Sequence, residues 1–150
     1  MSDGVRELVR RLGDRDGWQA ARERLLALGP AAAGELAAAL GDPGLEPAAR
    51  HEALRILVEM KAPESAEAFR AALRSADETE RALGAAGLRA LETDDAVEAT
   101  LHTLDDAPDS LHFEVTPSAA ALGQMGLAGV RAALPLLSSP EPRTRQHAQT

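Results

Sequence analysis

The chain has 150 residues, of which 45% are hydrophobic, with no cysteine and a formal net charge of −8 at pH 7. That apolar share excludes a disordered chain, and the missing cysteine excludes disulfides, thiolate metal ligands and thiol nucleophiles. The 24 acidic against 16 basic residues and the 2% aromatics run against nucleic-acid binding, which needs cations along the phosphates and rings for stacking.

Ala (32) and Leu (22) stand against six Val, one Ile, two Phe, one Trp and no Tyr. Helix formers so outweigh strand formers that an all-α fold is expected, as one domain over residues 1–150. At the N-terminus, MSDGVRELVRRLGDRDG holds no apolar signal core, and no uncharged run approaches membrane-spanning length. A cytoplasmic protein with no membrane partner is expected. Arg6, Arg10, Arg11 and Arg15 form a basic cluster there, too small to reverse the charge balance.

The first strongly patterned stretch, ALGPAAAGELAAALGDP (27–43), holds a helix end, a Gly29–Pro30 break, a second helix through Leu40 and a Gly-Asp-Pro turn. The helix AARERLLALG (20–29) then returns as RHEALRILVEMK (50–61), RALGAAGLRALE (81–92) and VTPSAAALGQMG (115–126). These end at Gly29, Lys61, Glu92 and Gly126, spaced 32, 31 and 34 residues. The following helices align on Leu40, Leu73, Leu104 and Leu137, spaced 33, 31 and 33. Two independent anchors with one period of 31–34 residues predict repeated helix pairs.

Within the first helices a small residue recurs at Ala21, Ala53, Gly84 and Ser118. Within the second helices the buried stripe is Ala33, Ala66, Val97, Val130, then Leu36, Phe69, Thr100, Ala133, then the anchoring leucines. Gly84 and Gly87 lie mid-helix with no preceding strand, so they are read as close-packing positions and not as a phosphate loop. Asp94–Asp95 is read as a helix N-cap, and neither this pair nor Asp105–Asp106 as an acid–base dyad. Pro117 predicts a kink or a fresh start capped by Thr116.

The tail PEPRTRQHAQT (140–150) begins a fifth unit, since Arg145 and Ala148 match Arg50 and Ala53. Either this short polar helix caps Val130, Leu134 and Leu137, or the chain is a fragment or is completed by a partner stacked on the C-terminal repeat.

The pattern resembles HEAT repeats, particularly the short bacterial kind related to those of phycobilin lyases. Arg50 with Ala53, Arg81 with Gly84 and Arg145 with Ala148 carry the first part of that motif. Leu28–Gly29 carries its ending, and Met125–Gly126 approximates it. The likeness covers roughly residues 17–150 and departs at Trp18 and Val115, where an Arg is expected. It implies an α-α superhelix, or solenoid, of about four helix pairs plus a terminal half-repeat, with partners bound along a concave face lined by the second helices. It also implies an alternative, a lyase or another small-ligand enzyme of HEAT-like type.

No catalytic residue, metal site or cofactor is expected. The histidines do not converge: His51 and His147 are read as solvated on the outer helices, and His112 as an ordinary loop residue. Counting back from the leucine anchors by six and by two residues gives the outward rows Gly34, Glu67, Glu98, Arg131 and Ala38, Ala71, His102, Pro135. With Arg70 at their border, Glu67, Arg70, Glu98, His102 and Arg131 are the candidate partner-binding residues. Between Asp77 and Glu114 there are 11 acids against Arg81 and Arg89, which suits a protein partner with a basic surface. The expected function is a non-enzymatic protein-interaction scaffold, with Trp18, Phe113, arginines and aliphatic area as its contact groups.

Overall fold

The computed structural model describes residues 2–103 and 117–149, and all regular structure among them is helical. Leu104, Asp105–Asp106, His112, Phe113 and Thr116 lie outside the described residues. The chain runs as α1 (Ser2–Arg11), α2 (Trp18–Leu28), α3 (Ala33–Ala39), α4 (Pro47–Met60), α5 (Ala66–Ala72), α6 (Glu78–Ala90), α7 (Ala96–His102), α8 (Pro117–Gln124), α9 (Leu127–Ala133) and α10 (Pro142–Gln149). Single 3-10 turns at Gly29–Ala32 and Pro63–Ser65 lead into α3 and α5. A third, Leu134–Ser138, continues α9: Pro135 has no N–H to give, so the α-helix stops short of Leu137. Pro117 is the first residue of α8, a position where its missing N–H costs nothing.

The helices pack in the order of the sequence pairs. Successive first helices lie side by side, α2 on α4, α4 on α6 and α6 on α8. Each second helix lies on the first helix of the next pair: α3 on α4, α5 on α6, α7 on α8. One apolar core runs from Val5 through Ala99, and a smaller cluster joins Leu122 to Val97, Leu101, Met125 and Leu136.

The stripe read from the sequence is buried in part, with Leu40 buried and Ala66, Leu73 and Val97 half-buried. Ala33, Leu36, Phe69 and Thr100 are fully enclosed. Val130, Leu134 and Leu137, by contrast, are 52%, 55% and 39% exposed. The tail helix α10 packs on the turn after α9 but does not cover these side chains, so the cap reading is corrected. His147 is buried rather than solvated, because α10 turns it inward.

Small residues set the closest approaches. A Cβ on Gly84 would lie 2.6 Å from the Phe69 carbonyl oxygen and 3.1 Å from Ala72 Cβ. A Cβ on Gly87 would run into the Phe69 ring itself. Both glycines therefore act as the packing positions that the sequence suggested.

Two local devices recur with the period. Gly29, Lys61, Glu92 and Gly126 all have positive φ (66°, 51°, 55° and 65°), and they are the four aligned helix ends. Such a residue reverses the chain after a helix, which favours glycine. The motif arginines tie the preceding turn: Arg50 Nη1 donates to Leu40 O (2.9 Å), Arg81 Nη1 to Ser75 O (3.0 Å) and Arg145 Nη1 to Ser139 O (2.6 Å). Each bond satisfies a carbonyl that the end of the preceding helix or turn leaves without an N–H.

These positions separate two substitutions in denaturant unfolding. Gly29 has ψ −156°, a region other residues avoid, so Gly29→Ala costs about 1–3 kcal/mol. Lys61 has ψ 38°, which glycine accepts freely, so Lys61→Gly is neutral or stabilising by up to about 1 kcal/mol.

Candidate functional site

All eight outward positions, Gly34, Glu67, Glu98, Arg131, Ala38, Ala71, His102 and Pro135, are exposed. In α3, α5 and α7 the stripe turns inward, around the buried Leu36, Phe69 and Thr100, which leaves residues two and six before the anchor on the opposite side. Four of the five candidate residues converge around α5 and α7. Arg70 Nε donates to Asp95 Oδ2 (2.9 Å) and its Nη2 to Oδ1 (3.4 Å), while Nη1 pairs with Glu67 one turn back. Arg70, Arg74, Asp95, Glu98 and His102 then line a surface hollow of about 290 Å³ floored by Leu73 and Ala99. Arg131, on α9, is exposed but does not line it.

The electrostatics of this face are set by the bidentate pair. Hydrogen bonds from Arg70, then Thr93, hold the Asp95 carboxyl down at about 2. The same carboxylate, then Glu67, pushes the Arg70 guanidinium further above its ordinary range. With side chains 34% and 39% exposed, the pair is screened by solvent and adds little to stability. Its main effect is register: it fixes α5 against the start of α7. Arg70 is thereby neutralised, and Glu98 has no ion-pair or hydrogen-bond partner among the described residues; Arg74 lines the hollow beside it, so the two acids and two arginines of the lining balance and Glu67 at its border adds one negative charge. The arrangement can attract and orient a cationic group; the lining holds no nucleophile–base pair.

A second polar group lies between α4 and α6. His51 Nε2 is 3.0 Å from Asp77 Oδ2, and Arg50 Nε donates to Glu80 Oε1 (2.7 Å). His51, Asp77 and Glu80 bring their ligand-type atoms within 4.8 Å of one another. His51 is therefore half-buried and paired, not solvated as expected, because α6 packs over it. Both carboxylates already have work within the fold. Asp77 Oδ1 accepts from the Glu80 N–H and caps α6, and Glu80, 7% exposed, faces the Arg50 guanidinium. Partial desolvation pushes the Asp77 carboxyl up, but the Glu80 N–H and His51 outweigh it and hold it below the usual range. Arg50 already supplies the counter-charge to Glu80.

Sequence reasoning missed Asp95 as the partner of Arg70 and assigned it to a helix cap that its side chain does not make. The available signal was spacing: Arg70 stands three before one leucine anchor and Asp95 nine before the next. Arg89 was also passed over. It is half-buried, its Nη1 donates to Thr100 Oγ1 (3.1 Å), and burial pushes its guanidinium below the ordinary range. Among the described residues no helix is long and apolar enough to cross a membrane. Comparison with protein-family models, with curated proteins and with solved structures finds no match for this chain.

The pair makes a pH prediction. Because Asp95 titrates at about 2 when folded and near 3.8 otherwise, its contribution is complete above about pH 4 and is lost as pH falls through 2. In Arg70→Gln, an NMR titration of the Asp95 carboxyl should move up toward 3.8, and acid unfolding should lose its dependence on that window.

Proposed function

We propose that the chain is a HEAT-like α-solenoid and that it works as a non-enzymatic scaffold, binding a protein partner along the outward face of α5 and α7. The repeat period, the positive-φ helix ends that recur with it and the side-by-side first helices support the architecture. One observation carries the binding reading: the outward rows are exposed along every second helix, and across α5–α7 they are locked in register by Arg70 and Asp95. A rigid surface with its ion pairs already made loses little freedom on binding.

The partner this face fits is a basic segment of another protein. Glu67, Asp95 and Glu98 exceed Arg70 and Arg74 by one charge on this face, and the hollow beside Glu98 and His102 admits a side chain of Lys or Arg size. Aromatic anchors are scarce in the composition, so affinity rests on charge and is modest and salt-sensitive.

The test is affinity capture followed by titration of the captured protein. Glu67→Lys/Glu98→Lys, confirmed as folded by circular dichroism, should bind at least about tenfold more weakly, and wild-type binding should weaken as salt rises. Equal capture by both proteins, independent of salt, would remove this face from the account.

A further inference from the structure

The α5–α7 hollow lies in a row with two others. Between α3 and α5 is a hollow of about 300 Å³ whose wall includes Leu40, Leu54 and Ala71 of the outward row. Between α1 and α3 is one of about 370 Å³ that takes in Ala38 of the same row. The hollows adjoin, because Arg74 lines both of those beside α5 and α3 lines both of those beside it. The outward positions Ala38, Ala71, Glu98 and His102 therefore belong to one trough that crosses α1, α3, α5 and α7. Packed helices stand about 8–10 Å apart, so the trough spans about 25–30 Å, the reach of about eight residues of extended chain.

The charges along this trough are sorted by position. At the α7 end Glu67, Asp95 and Glu98 exceed Arg70 and Arg74 by one, and Glu98 is unpaired. At the α1 end Arg6 and Arg10 exceed Asp42 by one. Asp42 Oδ1 already accepts the Gly44 N–H, and Arg6 has no hydrogen-bond or ion-pair partner among the described residues. Arg10 meets Glu7 at 3.8 Å with both side chains mostly exposed, so solvent screens that contact. In the middle, Glu80 is committed to Arg50, and the α3 wall of Ala37, Leu40 and Gly41 is uncharged. That leaves Arg74, exposed and without a partner among the described residues, as the free charge there.

Arg74 distinguishes this trough from a site for a purely basic ligand. It borders the hollow that holds Glu98, where it repels a Lys or Arg side chain entering, and such like-charge contacts work against wrong partners. A ligand that also brings a carboxylate to Arg74 removes the repulsion, and further carboxylates find Arg6 and Arg10 beyond it.

We propose that the segment bound on this face is charge-segregated, with a basic half over α5 and α7 and an acidic half that meets Arg74 and then Arg6 and Arg10. The inference rests on the α5–α7 reading above and specifies its partner: an extended stretch of another protein, about eight residues long, with bases and acids in separate halves. Segregation also fixes the direction of binding, since the reversed segment would set acid against Glu98 and base against Arg6.

An NMR titration of the isotope-labelled full chain with synthetic peptides at low salt tests it. One peptide of about eight residues carries its acids in one half and its bases in the other, a second has the same residues alternating, and a third is wholly basic. The segregated peptide should shift backbone amides along the trough, at Ala38, Ala71 and His102, and bind at least about threefold more tightly than the alternating one. Arg6→Gln/Arg74→Gln, confirmed as folded by circular dichroism, should erase that advantage without weakening the wholly basic peptide. The proposal is overturned if the segregated peptide fails to bind, binds no better than the alternating one, shifts amides elsewhere, or keeps its advantage in the double variant. The wholly basic peptide keeps the two readings apart. If it still shifts Glu98 and His102, only the segregation is lost; if it leaves both unmoved, the α5–α7 face falls as well.

Discussion

Everything between α4 and α7 depends on how closely Phe69 is allowed to approach α6. Phe69 is fully buried, and its ring lies over Gly87 while its carbonyl lies against Gly84. Only a helix surface without Cβ atoms at those two points accepts α5 at this distance. Glycine in a helix interior costs about 1 kcal/mol relative to alanine, and α6 carries two of them. Burying a phenylalanine contributes about 1.5–3 kcal/mol, which offsets that cost and explains why the helix tolerates its glycines. With α5 seated on α6, and α7 packed on the same helix, the start of α7 comes within reach of Arg70.

Polar ties then hold what the core has placed. Glu80, nearly buried on α6, meets Arg50 from α4, and the same guanidinium satisfies the Leu40 carbonyl at the end of the preceding pair. One side chain thus joins three successive segments. Removing Arg50 would leave the Glu80 charge in the interior with no counter-charge, a loss of about 3 kcal/mol. Nothing so interlocked occurs beyond α7 among the described residues. The core narrows there to the cluster around Leu122, and α9 and the 3-10 turn after it expose Leu127, Leu134 and Leu137.

Much of this was legible in the sequence because it depends on periodic backbone geometry. The aligned helix ends Gly29, Lys61, Glu92 and Gly126 turned out to share positive φ, although two of them are not glycine. The eight outward positions were found by counting from leucines, since a helical stripe fixes its own opposite side. What was not legible depends on contacts between units. Asp95 looks like a cap because Asp commonly is one, and only the seating of α5 on α6 gives it to Arg70. His51 and His147 look solvated on helices rich in charge, yet one is paired under α6 and the other turned inward.

The central claim is that the Phe69–Gly87 approach sets the spacing of the helix pairs, and a double-mutant cycle on unfolding free energy tests it most directly. In the wild-type background Gly87→Ala should destabilise by about 2 kcal/mol or more, because the new methyl meets the ring. In a Phe69→Ala background the same change should become neutral or stabilising by up to about 1 kcal/mol, as intrinsic helix propensity takes over. An equal cost in both backgrounds would show that the two residues are uncoupled, and would contradict the account.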